Sequence, residues 1–277
     1  MRLKFHMKKL VRNILHNPTA MWVWGCVVGE IPPIDSVELF SRPECLRKNF
    51  LTNRKVVHMT APTTIVGRSH YRSLLSFKFR NPDYDFVYWD DSDIDNFLKQ
   101  FFWDKKIYEV YEKAEFGITR SDIFRLCVIK IHGGLYFDMK SSFTAPLSKL
   151  EFMRNKLYLI REPHLDIVPS DILNSNTGGK YVGNWFMGGC VDPPVVEEIL
   201  NYIVADFHKF DELRARFGLV KAVWETTGPR MLTRFFIEKG FGDDVIIIDE
   251  DDSKLKPEYS CRGAWVRKLV YNHYASR

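Results

Sequence analysis

The stretch that most limits how this chain can fold is "SDIFRLCVIKIHGGLYFDMKSS", residues 121–142. An apolar helical run from about Thr119 to His132 meets Gly133 and Gly134, which stop a helix by taking left-handed dihedrals. The apolar "GLYF" that follows reads as a strand ending at Asp138. On the helix, Asp122 and Arg125 are three residues apart and share a face. Alone, such a pair reads as surface decoration worth about 0.3 kcal/mol. The strand changes that reading. Its last residue is a carboxylate at the rim of a segment too apolar for a solvent-facing loop, where an ion or a polyhydroxyl ligand offsets the cost of desolvation.

Strand-like and helix-like segments alternate along the rest of the chain. "KVVHMT" (55–60) and "DFVYWD" (85–90) read as strands, with helical spacing in the "SHYRSLLSFKF" between them and a turn signal at "NPDY". Two short amphipathic segments follow, "DIDNFLKQFF" and "KKIYEVYEKA". "NKLYLIRE", "VIIIDE" and "AWVRKLVYNHY" read as later strands, and "PPVVEEILNYIVADFHKF" and "GPRMLTRFFIEKG" as helices. The alternation predicts an α/β fold, a mostly parallel sheet flanked by helices, with its binding site at the carboxyl ends of the strands. No repeat, low-complexity tract or linker divides the chain, so residues 18–277 are expected to form one domain behind an N-terminal arm.

That arm carries the net charge. The formal charge is +5, and Arg2, Lys4, Lys8, Lys9 and Arg12 lie within seventeen residues that contain no acid. Leu3, Met7, Leu10, Val11 and Ile14 recur at helical spacing, the pattern of a basic amphipathic helix. Such a helix suits an anionic bilayer surface, or docks on its own domain with a solvated outer face. The apolar "AMWVWGCVVG" after it is about half the length of a bilayer span. Five unclustered cysteines indicate neither a disulfide framework nor a zinc knuckle, which fits a cytoplasmic protein, peripheral on the inner membrane face if the arm binds lipid. With no basic excess outside the arm, nucleic acid is excluded as a partner. "GFGDDV" (240–245) precedes a strand instead of following one, so it is not a dinucleotide fingerprint; P-loop, HExxH and nucleophile-elbow motifs are missing.

The block 121–140 resembles the signature of the family-32 glycosyltransferases, which have a DXD-containing sugar-binding region and include the yeast initiating α-1,6-mannosyltransferase and bacterial capsule and O-antigen enzymes. The resemblance extends to "VVHMT", "NPDYDFVYWDD" (81–91), "GNWFMGGCVDPPVVEEIL" (183–200), "ETTGPRML" (225–232) and the terminal "NHY" (272–274). It implies a GT-A fold, a Rossmann-like mixed sheet that binds a nucleotide-sugar, and retaining transfer to a hydroxyl acceptor. Asp122 and Arg125 would hold the donor sugar's hydroxyls and Asp138 the ribose or sugar, with Val57, His58, Tyr136, Asn184 and Trp185 also in the donor site. The second Asp of the DXD pattern, which ligates Mn²⁺ or Mg²⁺, is here Lys140. A lysine cannot ligate a cation, but its ammonium can pair with a diphosphate as a point charge, so Lys140 is read as a metal substitute. The competing arrangement holds a divalent cation with Asp138, His273 and the diphosphate, leaving Lys140 in solvent.

"TTGP" (226–229) reads as a helix start whose cap hydroxyl and free N–H groups face a phosphate or acceptor. Front-face attack, in which the leaving phosphate takes the acceptor's proton, needs no protein base. The expected function is a glycosyltransferase using a nucleotide-sugar, UDP-sugar favoured, on a lipid-linked or polysaccharide acceptor in O-antigen or capsule synthesis. The rival reading is a non-catalytic sugar-nucleotide-binding partner in a polysaccharide assembly complex.

Overall fold

The structure is a computed structural model that describes residues 34–35, 40–48, 55–61, 65–66, 68–115, 117–139, 141–150, 153–162, 175–249 and 251–259. The basic arm, the expected terminal strand, Lys140 and His273 lie outside the described residues. Among the described residues ten strands run in chain order: β1 (Ile34–Asp35), β2 (Val56–Thr60), β3 (Ile65–Val66), β4 (Asp85–Trp89), β5 (Gly134–Phe137), β6 (Ser141–Phe143), β7 (Leu157–Glu162), β8 (Tyr181–Gly189), β9 (Val245–Asp249) and β10 (Pro257–Tyr259). Six of them form one sheet in the order β4-β2-β5-β8-β7-β9. β4, β2 and β5 are mutually parallel, as are β7 and β9, and β8 is antiparallel to both its neighbours. The sheet is therefore mixed and mostly parallel, as the alternation of segments requires.

The helices are α1 (Arg68–Arg80), α2 (Asp91–Phe102), α3 (Lys106–Lys113), α4 (Gly117–His132), α5 (Pro194–Asp206), α6 (Phe210–Phe217), α7 (Leu219–Thr226) and α8 (Pro229–Lys239). α2 starts where β4 ends because Asp90 caps it: Asp90 Oδ1 accepts from the Asp93 N–H at 2.9 Å, and Asp93 Oδ2 accepts from the Asp90 N–H at 3.0 Å. Side chains alternate between the two faces of the sheet. Val57, Met59, Phe86, Tyr88, Leu135 and Phe137 pack into one core, and Val56, Val87, Trp89 and Tyr136 into the other, under α2, α4, α5 and α8.

α4 is the central helix, apolar nearly all round, with Ile123, Phe124, Leu126, Cys127, Val128 and Ile129 buried. Its exit into β5 is fixed by sterics. Gly133 (φ 62°) and Gly134 (φ 85°) are both left-handed, and a Cβ on Gly134 would stand 2.7 Å from the Val56 carbonyl. The turn also sets a ruler. Asp122 lies ten residues up the helix from His132, about 15 Å, and Asp138 lies five residues along the strand from Gly133, about 16 Å. The two carboxylates reach the same level.

Three elements differ from the sequence expectation. The segment "GNWFMGG", whose glycines also suit a turn, lies within the nine-residue strand β8, and two helices, α6 and α7, occupy a region for which no element was expected. The last two glycines of β8 are closely approached: a Cβ on Gly189 would stand 2.9 Å from the Lys156 carbonyl, and one on Gly188 2.4 Å from Leu135 Cδ2.

His58 sits wholly inside this frame. Its Nε2–H donates to the Gly133 carbonyl at 3.0 Å, and its Nδ1 accepts from the Trp89 indole N–H at 3.2 Å, which only the neutral Nε2–H tautomer satisfies. Burial, and then repulsion from His132, push its pKa down to about 3, against the Gly133 hydrogen bond. Between about pH 3 and 6.5 the unfolded chain therefore binds a proton that the folded one does not, so stability is lost as pH falls through that window. His58→Gln keeps a donor and an acceptor but cannot titrate. In urea unfolding at pH 6.5 and 4.5, the wild type should lose about 2 kcal/mol more than the variant over that interval; equal losses would show that His58 titrates normally.

Candidate functional site

The carboxyl ends of β2 and β5 and the first half of α4 enclose the predicted site residues. Arg125 is at its centre, and its guanidinium is fully engaged. Nε–H donates to the Ser121 carbonyl at 3.2 Å and Nη1 to the Asn184 carbonyl. Nη2 lies 2.9 Å from Asp122 Oδ1 and 3.5 Å from Asp138 Oδ1, and the guanidinium stacks 4.9 Å over the Tyr136 ring. The predicted i,i+3 pair is thus an interior one, with both side chains only 4% exposed.

Asp122 is surrounded by donors. Asn184 Nδ2 donates to its Oδ1 at 2.9 Å, beside Arg125, and the Thr227 hydroxyl donates to its Oδ2 at 3.0 Å. Burial pushes the Asp122 carboxyl up to about 7; Arg125 and Thr227 pull it down, Asp138 adds to the rise, and Asn184 pulls it down further. Every one of these hydrogen bonds is donated to it, so the hydrogen bonds and Arg125 favour the ionised form, and burial opposes and outweighs them.

Asp138 is different. Its side chain is 33% exposed, and it alone of the three opens to solvent. Its N–H donates to the Trp185 carbonyl at 2.8 Å, and its own carbonyl accepts from the Ser141 N–H and hydroxyl at 2.9 and 2.7 Å, which fix the backbone. Its Oδ1 accepts from the Tyr136 hydroxyl at 3.1 Å, whose oxygen in turn accepts from the Thr60 hydroxyl at 3.0 Å. The Tyr136 phenol is held above its ordinary pKa, chiefly by burial, so it remains a donor.

The carbonyls that serve Arg125 and Asp138 come from an irregularity in β8. Across β7 and β8, Leu159 opposes Met187 but Ile160 opposes Gly183, so Asn184–Phe186 bulge out of that pairing. Within the bulge the Asn184 carbonyl accepts from Arg125, while the Trp185 carbonyl accepts from Asp138 in continuation of the β5–β8 pairing.

The structure therefore brings Asp122, Arg125, Tyr136, Asp138 and Asn184 together and places three other candidates elsewhere. The side chains of Val57, His58 and Trp185 are buried in the cores, and only the Trp185 backbone takes part in the cluster. Strand parity turns Val57 to the opposite face, whereas His58 shares the face of Thr60 but lies two residues deeper in β2, and it is Thr60, at the carboxyl end, that joins the hydrogen-bond chain. "TTGP" is not an open cap either. Gly228 is the N-cap of α8 with Pro229 after it and no side-chain cap, the Thr226 hydroxyl donates to the Ala222 carbonyl, and Thr227 is turned inward to Asp122. The partners of Asp122 outside its own helix, Asn184 and Thr227, carry no periodic signal in sequence.

Among the described residues no three His, Cys, Asp or Glu side chains converge as metal ligands. The DXD pattern implies a divalent cation, and the donor set among the described residues does not by itself fit one. Asp138 is the single exposed carboxylate of the cluster, its Oδ1 is shared with Tyr136 and faces a guanidinium, and the residue two positions on is Lys140.

Residues 68–156 match the family model described as the glycosyltransferase sugar-binding region containing a DXD motif. The matched stretch holds Asp122, Arg125, Tyr136, Asp138 and Lys140, so the family that the sequence motifs resemble is the one this region matches. Over 65 residues the chain is 35% identical to the uncharacterized glycosyltransferase L373 of Acanthamoeba polyphaga mimivirus, covering 24% of each protein. Over 86 residues it is 27% identical to the mannosyl phosphorylinositol ceramide synthase CSH1 of Saccharomyces cerevisiae, covering 31% of this chain and 22% of that one. The matches thus span less than a quarter of these curated relatives. Among solved structures, the PaToxG glycosyltransferase aligns over 87% of this chain and 81% of its own, at 17% identity and a TM-score of 0.48. No described helix is long and apolar enough to cross a membrane.

The difference in burial predicts a difference in stability. Arg125→Ala leaves two carboxylates without their shared cation and should cost about 3–5 kcal/mol in urea unfolding. Asp138→Asn, at an open rim, should cost less than about 1 kcal/mol. Similar losses from both would mean that Asp138 is as much a part of the interior as Arg125.

Proposed function

We propose that this chain is a retaining glycosyltransferase that moves a sugar from a nucleotide-sugar, most readily a UDP-sugar, to a hydroxyl of a lipid-linked or polysaccharide acceptor. The observation that carries the reading is the Asp122–Arg125–Asp138 cluster at the carboxyl edge of the sheet, with two members buried as a base and Asp138 open to a ligand. The family match over the same residues supports it. The yeast relative, named as a mannosyl phosphorylinositol ceramide synthase, supports a lipid-linked acceptor. O-antigen or capsule synthesis is the setting proposed from the sequence motifs, with the basic arm of residues 1–17 on an anionic inner membrane face and residues 18–277 as the catalytic domain.

In this reading the Asp138 carboxylate accepts hydroxyls of the donor's ribose or sugar, held at its angle by Tyr136 and by backbone bonds to Trp185 and Ser141. The departing diphosphate gains negative charge as the glycosidic bond lengthens, and cleavage is fast only where positive charge meets it. The described cluster cannot supply that charge, because two carboxylates flank one spent guanidinium. Lys140 is the nearest cation in sequence, and its ammonium is proposed to pair with the diphosphate oxygens. The leaving phosphate then takes the acceptor's proton on the same face, which accounts for retention without a protein base.

Nucleotide release from UDP-, GDP- and dTDP-sugars, measured with Mn²⁺ and with EDTA on wild type and Lys140→Ala, tests the reading. Turnover should survive EDTA and fall about a hundredfold or more in the alanine variant. Turnover abolished by EDTA would assign the charge to a cation, and no turnover of any donor would favour a non-catalytic binding protein.

A further inference from the structure

Thr227 lies outside the matched region, more than a hundred residues from the acid it touches, at the end of α7 where the chain turns into α8. Its hydroxyl donates to Asp122 Oδ2 at 3.0 Å, while a second acceptor within reach, the Val223 carbonyl, is more distant at 3.4 Å. Both groups are buried, Thr227 being 2% exposed. The turn that presents it is hydrogen-bonded and closely packed. The Thr227 and Gly228 N–H groups both donate to the Val223 carbonyl, at 3.0 and 2.8 Å, and a Cβ on Gly228 would meet Trp224 Cα at 3.0 Å. One helix on, the Thr233 hydroxyl accepts from the Val182 N–H at 2.9 Å, tying α8 to β8 beside the bulge that holds Asn184. The α7–α8 corner is thus clamped to the same two elements that orient Asp122.

We infer that Thr227 is a positioning residue for the donor site, holding Asp122 so that Asp122 in turn fixes Arg125 and, through it, the exposed Asp138. The chain of contacts is continuous: Thr227 to Asp122 Oδ2, Asp122 Oδ1 to Arg125 Nη2, and Arg125 Nη2 to Asp138 Oδ1. Without the hydroxyl, Asp122 Oδ2 has no partner among those described here, and the buried carboxylate favours protonation or a new rotamer; either frees Arg125 to turn toward Asp138. The groups that face Asp122 and enter its titration are Arg125 on its own helix, Asp138 at the end of β5, Asn184 on β8 and Thr227 itself. The catalytic consequence rests on the glycosyltransferase reading above; the structural one does not.

The test uses Thr227→Val, which keeps the shape and removes the hydroxyl, and Thr227→Ser, which restores it. Two readouts are taken on the full chain: the titration of the Asp122 carboxyl by ¹³C NMR, with its signal identified by its loss in Asp122→Asn, and kcat and KM for the best nucleotide-sugar substrate across pH. In the valine variant the Asp122 midpoint should move to higher pH. kcat/KM should fall about tenfold or more, its acidic limb moving the same way, and serine should recover both. An Asp122 midpoint unchanged in Thr227→Val would overturn the inference. So would a shifted midpoint with wild-type kinetics, or a serine variant no better than valine at equal melting temperature. Wild type without turnover on any donor would sink the enzyme reading and the catalytic half of the inference, leaving the NMR titration to decide whether Thr227 holds Asp122.

Discussion

A guanidinium cannot lose its proton in a protein interior, so burying Arg125 obliges the fold to supply an acceptor for each direction in which it donates. The neighbouring structure meets that demand. α4 contributes the Ser121 carbonyl and Asp122 from its own turns, and the β8 bulge contributes the Asn184 carbonyl. β5 contributes the ring of Tyr136 beneath the cation and Asp138 at its edge. Asp122, buried to balance the charge, then needs donors of its own, which draws in the Asn184 amide and the Thr227 hydroxyl. A single buried cation thereby links the central helix, two strands and the α7–α8 corner around one crevice.

This division of labour alters what the site residues can do. Asp122 and Arg125 were expected to touch the donor sugar, yet their polar atoms are occupied by one another and by neighbours, and the group left facing solvent is Asp138. The described cluster sets two carboxyl groups against one engaged guanidinium, so it offers a diphosphate no free positive charge. In DXD enzymes the second Asp recruits a cation. The lysine at position 140 has the opposite sign to the aspartate of that pattern, and on this the proposed metal-free pairing with the diphosphate rests.

Much of this was legible beforehand because it depends on local rules. A double glycine after an apolar helix sets the α4–β5 turn, helical spacing puts Asp122 and Arg125 on one face, and an apolar tetrad before Asp138 marks a strand end. Parity was harder. His58 and Trp185 lie in recognisable segments, but which side chains of a strand face a crevice depends on where the strand stops and where it bulges, and the β8 bulge is a property of its pairing with β7 and β5. Thr227 was visible only as part of a helix cap, because its partner is far away in sequence and close only after α7 and α8 dock on the sheet. The α6–α7 pair was missed for a related reason: with Arg214, Arg216 and Phe217 exposed, α6 has no continuous apolar face to announce it.

The central claim is that Asp122 and Arg125 form a preassembled base and Asp138 receives the donor. A crystal structure with a bound, non-transferable UDP-sugar analogue tests it most directly. The account predicts the analogue at the carboxyl ends of β2 and β5, within hydrogen-bond distance of Asp138, with Asp122 still held by Thr227 and Asn184. A sugar bonded to Asp122 or Arg125, with the Thr227 contact broken, would contradict it.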